Sequence, residues 1–287
     1  MSNPIFDRID KDVSRGGYAG FGNRGPASPS SFGQFGSQPQ YGQMTPDDLQ
    51  TLYDTPAASP AASHKLTVDD VVMKSLLLFG ILLSVGAAAF FLLPVKLSGV
   101  AMLGSIVVTL VLGIIIAMKQ NVSVPLIIAY AAFEGLLVGV VTRTFAFAYS
   151  GVVSTAIVAT LAVFAAMFIG WKTGFVKVTD RTRRIFGMAI LGYMIFGVIN
   201  LIAAWAFKAN GGAGLLTFGS PIAIGVSLLA VGLAAYSLAM DFDSIDRAVA
   251  AQVPQKYSWL LAHGLMVTVI WLYLELLRLI AQLQGRD

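Results

Sequence analysis

Seven runs of about twenty apolar residues, joined by short polar connections, constrain this chain more than anything else in it. A helix needs roughly 20 residues to cross about 30 Å of hydrocarbon. The segments Val71–Leu93, Ser98–Met118, Val124–Phe147, Val152–Trp171, Ile185–Phe207, Phe218–Met240 and Trp259–Leu283 all reach that length. Composition points the same way: 56% of residues are hydrophobic and 12% charged, against roughly 25% charged in a soluble domain. So little charge cannot cover a water-exposed surface of this size, and the missing solvent is lipid. The predicted fold is an all-α membrane protein. A seven-transmembrane-helix bundle over residues 67–287 follows a disordered, polar N-terminal tail of residues 1–66.

Residues 1–15 of that tail mix both charges. Residues 16–43 are rich in Gly, Ser, Gln and Pro, punctuated by Tyr18, Phe21, Phe32, Phe35 and Tyr41. With few aliphatic side chains the stretch cannot offset its own ordering entropy. Its spaced aromatics also suit weak docking or self-association. The first 21 residues contain no apolar signal core, so the first span is expected to direct insertion.

Thr67-Val68-Asp69-Asp70 opens the membrane part as a threonine N-cap with an acid three residues on. Pro94, Pro125, Pro221 and Pro254 fall at or near span ends, where a missing N–H is tolerated. Gly135 and Gly139, four apart on the third span, read as a close helix–helix contact, since packing must do in lipid what hydrophobicity cannot.

Orientation follows from Lys and Arg in the short loops. Lys119, Lys172, Lys177, Arg181, Arg183, Arg184, Arg247 and Lys256 collect on one side, against Lys96, Arg143, Lys208 and Arg286 on the other. Eight against four predicts a multi-pass membrane protein with a cytoplasmic N-terminus. Seven full spans then put the C-terminus outside, whereas a re-entrant sixth or last segment returns it to the cytoplasmic side. Basic residues set between spans are a topology signal, so no nucleic-acid partner is expected.

A charge at the bilayer centre costs at least about 2.5–3.5 kcal/mol, which makes each intramembrane charge a functional candidate. Glu134 lies near the middle of the third span. It is either an intramembrane cation or proton site, or a neutral acid hydrogen-bonded to a neighbouring helix. Glu275 lies in the last span with Arg278 three residues on, so an ion pair on one helix face competes with a site role. Asp241 ends the expected sixth span and is followed by Asp243 and Asp246. Three acids at a membrane mouth would attract cations and supply the oxygen donors that suit calcium. A solvated turn would explain the outer two. Ser227 and His263 are the minimum for an intramembrane hydrolase, but they fall toward opposite ends of their spans. The chain lacks cysteine, a nucleotide-binding loop, a zinc motif and a dinucleotide fingerprint, so neither an enzyme nor a cofactor is expected.

The C-terminal third resembles the Bax inhibitor-1 (transmembrane BAX-inhibitor-motif) family of seven-helix membrane proteins. The residues concerned are Ala235-Tyr-Ser-Leu-Ala-Met-Asp241-Phe-Asp243-Ser-Ile245 and Trp271-Leu-Tyr-Leu-Glu275-Leu-Leu-Arg278-Leu. The third-span Ala-Tyr-Ala-Ala-Phe-Glu134-Gly is similar to the family's aromatic-rich helix, and the opening Met-Ser-Asn-Pro-Ile-Phe looks like an actinobacterial-type branch. The resemblance implies a pH-sensitive cation leak of a bacterial plasma membrane, for calcium in particular, in which two acids of the last two helices share a proton and gate the pore. Carried over by motif, those acids are Asp241 and Glu275, the latter a glutamate where leak-forming members have aspartate. In a hairpin turning near Pro254, Asp241 would face residue 267 and Glu275 would lie about 12 Å further on. The alternative is a regulatory protein that docks on other membrane complexes without ion flux.

Overall fold

The computed structural model describes residues 64–119, 121–206, 215–216 and 218–285. Seven of its helices are long and apolar enough to cross a membrane. They are α1 (Val68–Leu92), α2 (Val95–Met118), α3 (Val124–Ala148), α4 (Val152–Lys172), α5 (Asp180–Ala206), α6 (Pro221–Ala250) and α7 (Ser258–Gln284). The expected tail, apart from residues 64–66, lies outside the described residues.

Helix starts follow local chemistry. The Thr67 hydroxyl accepts from the Asp70 N–H at 3.2 Å, and the Asp70 carboxylate accepts from the Thr67 N–H at 3.1 Å, closing the capping box. Asp70 also accepts from Gln255 at 2.6 Å and pairs with Lys74 at 3.1 Å, so the cap of α1 is tied to the α6–α7 connection. The chain just before it joins the same connection: the Leu66 N–H donates to the Val253 carbonyl and the Gln255 N–H to the His64 carbonyl. Asp70→Ala is expected to cost about 2 kcal/mol, from a lost cap and a lost loop contact. Thr67→Ala should cost about half as much. Thermal unfolding in detergent checks both.

Two boundaries lie five residues or more from the sequence expectation. α5 begins at Asp180, five residues early, because the Thr179 hydroxyl accepts from the Thr182 N–H at 3.2 Å and caps it. α6 does not stop at Met240 but runs to Ala250, so the acidic run through Asp246 is helical and not a turn. The inner face explains this: Leu238, Phe242, Ile245 and Ala248 keep the helical spacing and are buried. At 30 residues α6 is about 45 Å long, more than the roughly 30 Å of hydrocarbon requires.

α7 is the central helix, packed on α1, α3, α4 and α6 and buried along most of its length. α1 and α3 form the closest helix pair. A side chain at Gly135 would meet the Leu82 carbonyl oxygen at 2.5 Å, and one at Gly139 would overlap the Gly86 carbonyl. The glycines therefore act as packing residues, backbone against backbone. α2 leans chiefly on α3, and α5 chiefly on α6. Only Gly187 and Ala203 are buried among the described residues of α5.

Candidate functional site

Two hydrogen bonds, one facing pair and one ring contact set the register of the bundle. Ser227 of α6 donates to Gln282 of α7 at 3.2 Å, and Asp241 of α6 faces Thr268 of α7. The antiparallel pair thus matches the turn near Pro254 to within one residue. α3 runs parallel to α7: the Tyr130 ring stands edge-on to His263, centroids 4.5 Å apart, and Thr142 bonds Tyr273 at 2.9 Å.

Asp241 is 3% exposed, and its Oδ2 has no hydrogen-bond partner among the described residues. The groups acting on it are the Thr268 side chain and, through charge, Arg183 of α5. Ser244, one turn on along α6, is also buried, with its hydroxyl unpartnered among the described residues. The two residues share a helix face and leave two oxygens free on it. A buried polar atom without a partner costs about 1–3 kcal/mol, so these positions are expensive unless an ion or proton uses them.

Glu134 is 8% exposed, with Tyr130 as its hydrogen-bonding neighbour one turn earlier. No cation pairs with it among the described residues. The α3–α7 register sets Glu134 level with the stretch of α7 around Thr268. Glu134 and Asp241 therefore occupy one depth on different sides of α7. Sequence spacing gave no sign of that, because the two residues come from helices joined only through the fold.

Glu275 has other company. Tyr193 of α5 donates a short hydrogen bond to its Oε1, the Trp271 indole N–H lies 3.3 Å from the same oxygen, and Arg278 pairs with Oε2 at 3.1 Å. Arg278 also donates to Ser227 at 3.2 Å. Glu275 lies seven residues beyond Thr268, about 10 Å along α7. It shares no hydrogen-bond partner with Asp241 among the described residues. The intrahelical pair with Arg278 is formed. Tyr193, the residue that ties it to α5, is 82 positions away in sequence and carried no motif.

Asp243 pairs with Arg183 at 2.7 Å and with Arg247 at 3.1 Å, while Tyr236 bonds Thr182 at 2.7 Å and stacks on Phe186. With Tyr193–Glu275, these contacts hold an otherwise lipid-facing α5. Tyr193→Phe should cost roughly 1 kcal/mol and leave the other helices in place. Labelling of a cysteine introduced at half-buried Ile190 should rise in that variant; the natural chain has no cysteine to interfere.

The hydrolase pairing does not form. Ser227 is level with Gln282, nineteen residues from His263, which corresponds to about 28 Å along α7. His263 is buried against Tyr130, with its Nδ1 unpartnered among the described residues. Among the described residues no three acidic or histidine side chains gather as a metal cage.

None of the curated proteins matches the chain. The family profile described as Bax inhibitor 1 like matches residues 3–285, so the match takes in the polar N-terminal stretch as well as all seven spans. With nearly the whole chain covered and a seven-helix bundle as its fold, the protein belongs to the Bax inhibitor-1 family.

Proposed function

We propose that this membrane protein is a pH-sensitive cation leak, with calcium as the cation and Asp241 as the carboxylate that takes either a proton or the ion. The observation that carries the reading is the buried Asp241 carboxylate, one oxygen of which has no partner among the described residues. Proton and cation compete for the same oxygens, which makes flux depend on pH. The ligand set is thin: one carboxylate with Thr268 and Ser244 hydroxyls nearby, and Glu134 at the same depth across α7. A passing ion bound by so few groups can leave again, as conduction requires.

Glu275 belongs to the gate in this reading through α5. Its bonds to Tyr193 and Arg278 hold α5 near α7, while Arg183 joins α5 to the surroundings of Asp241. Protonation changes at Asp241 are thus coupled to α5 by Arg183, and α5 to Glu275 by Tyr193. The protein sits in the plasma membrane with its basic end, which carries the α4–α5 and α6–α7 connections, in the cytoplasm.

Calcium flux into proteoliposomes across a pH series is the test. A leak gives flux that changes with pH and requires the purified chain. Flux absent at every pH removes this reading and leaves the alternative, a regulatory protein that docks on other membrane complexes.

A further inference from the structure

A cleft of about 670 Å³ lies between α1 and α4, with α6 and α7 as its floor. Its walls are apolar, formed by Phe79 and Leu83 of α1 and by Leu161, Phe164 and Phe168 of α4. From Val68 to Leu83 the α1 wall extends about 22 Å, more than the roughly 15 Å of hydrocarbon in one leaflet. The charges stand at one end. Lys172, in the last turn of α4, and Asp246, on the extended part of α6, both line the cleft. Both are exposed, and neither has a hydrogen bond or ion pair among the described residues. The neighbouring Trp171 lines the cleft too, and Phe175 is 91% exposed. Tryptophan at such a position marks the level of the lipid headgroups.

We infer that this cleft is a binding site for a phospholipid carrying a primary amine, such as phosphatidylethanolamine. The acyl chain lies between α1 and α4, the phosphate is held by Lys172, and the ammonium donates to Asp246. One unpaired cation beside one unpaired anion complements a zwitterion; it would leave Asp246 facing a like charge if the headgroup were simply anionic. A quaternary ammonium has no N–H to donate, so the choline headgroup loses the Asp246 contact. The lysine stem lies along the apolar wall while its ammonium reaches the headgroup layer. This site is separate from the carboxylates proposed to carry flux, and its failure would not touch that reading.

The test is native mass spectrometry of the full chain, released from detergent after incubation with equal amounts of phosphatidylethanolamine, phosphatidylcholine and phosphatidylglycerol of identical acyl chains. Phosphatidylethanolamine should be retained about fivefold over phosphatidylcholine. Asp246→Asn should bring the two level, Lys172→Gln should lower retention of all three, and Leu161→Trp should do the same by filling the cleft. Equal retention of the three lipids, a preference for phosphatidylglycerol, or a phosphatidylethanolamine preference that survives Asp246→Asn would each overturn the proposal. A two-chain species lost in Leu161→Trp would also overturn it, by assigning the cleft to a second copy.

Discussion

Asp241→Asn is expected to abolish the pH dependence of cation flux and fix it at the level the natural protein shows at its acid extreme. Asparagine keeps the size of the side chain and its hydrogen bonding toward Thr268, but it cannot ionise. It therefore stands for the protonated state at every pH. The span of flux between acid and alkaline conditions should be tenfold or more in the natural protein, since ionising a group at this depth is worth at least about 2.5 kcal/mol and each 1.4 kcal/mol is about tenfold. In the variant it should shrink to within about twofold. Ion flux and proton flux measured in the same vesicles read the effect directly. A variant that keeps the full pH response would remove Asp241 from the mechanism. Glu275→Gln separates the two acids further. If Glu275 acts through α5, that variant shifts the pH response and lowers stability together, because it weakens the contacts to Arg278 and Tyr193.

Much of this fold was legible from residues alone, for a physical reason. Lipid offers the backbone no hydrogen-bond partners, so each span has to be a long apolar helix, and such helices are visible in one dimension. The Thr67–Asp70 cap was legible because both partners lie within one turn. The end of α6 was not. Asp241, Asp243 and Asp246 interrupt the apolar run, yet the buried face through Ala248 continues beneath them, and hydropathy averages over faces. The site was legible one residue at a time. Asp241, Glu134 and Glu275 were each visible as charges in apolar surroundings, but their partners come from other helices. Tyr193 reaches Glu275 and Arg183 reaches Asp243 only after the bundle has assembled. The carry-over that joined Asp241 to Glu275 followed motif position, whereas the helix register brings Asp241 level with Thr268 and Glu134.

Gly139→Leu should be the most destabilising single change in the bundle's interior. A Cβ at this position would overlap the Gly86 carbonyl and stand 2.9 Å from the Ala89 Cβ. Both obstacles belong to α1, and the first is backbone, which cannot rotate away as a side chain does. Overfilling a packed interior typically costs 1–3 kcal/mol through side-chain shifts. Here helices must part, so at least about 3 kcal/mol is expected, and the unfolding temperature in detergent should fall by about 6–12 °C. Gly104→Ala is the matched control. It lies on α2 with no atom within 4 Å of the added carbon, and alanine there should gain up to about 1 kcal/mol from helix propensity. The contrast isolates contact from propensity. Because α3 carries Glu134 and Tyr130 against α7, parting α1 from α3 should also alter the pH response of flux. Loss of stability with an unaltered pH response would confine the α1–α3 contact to scaffolding. Unchanged stability would mean that the close approach of α1 and α3 is not what holds the two helices together.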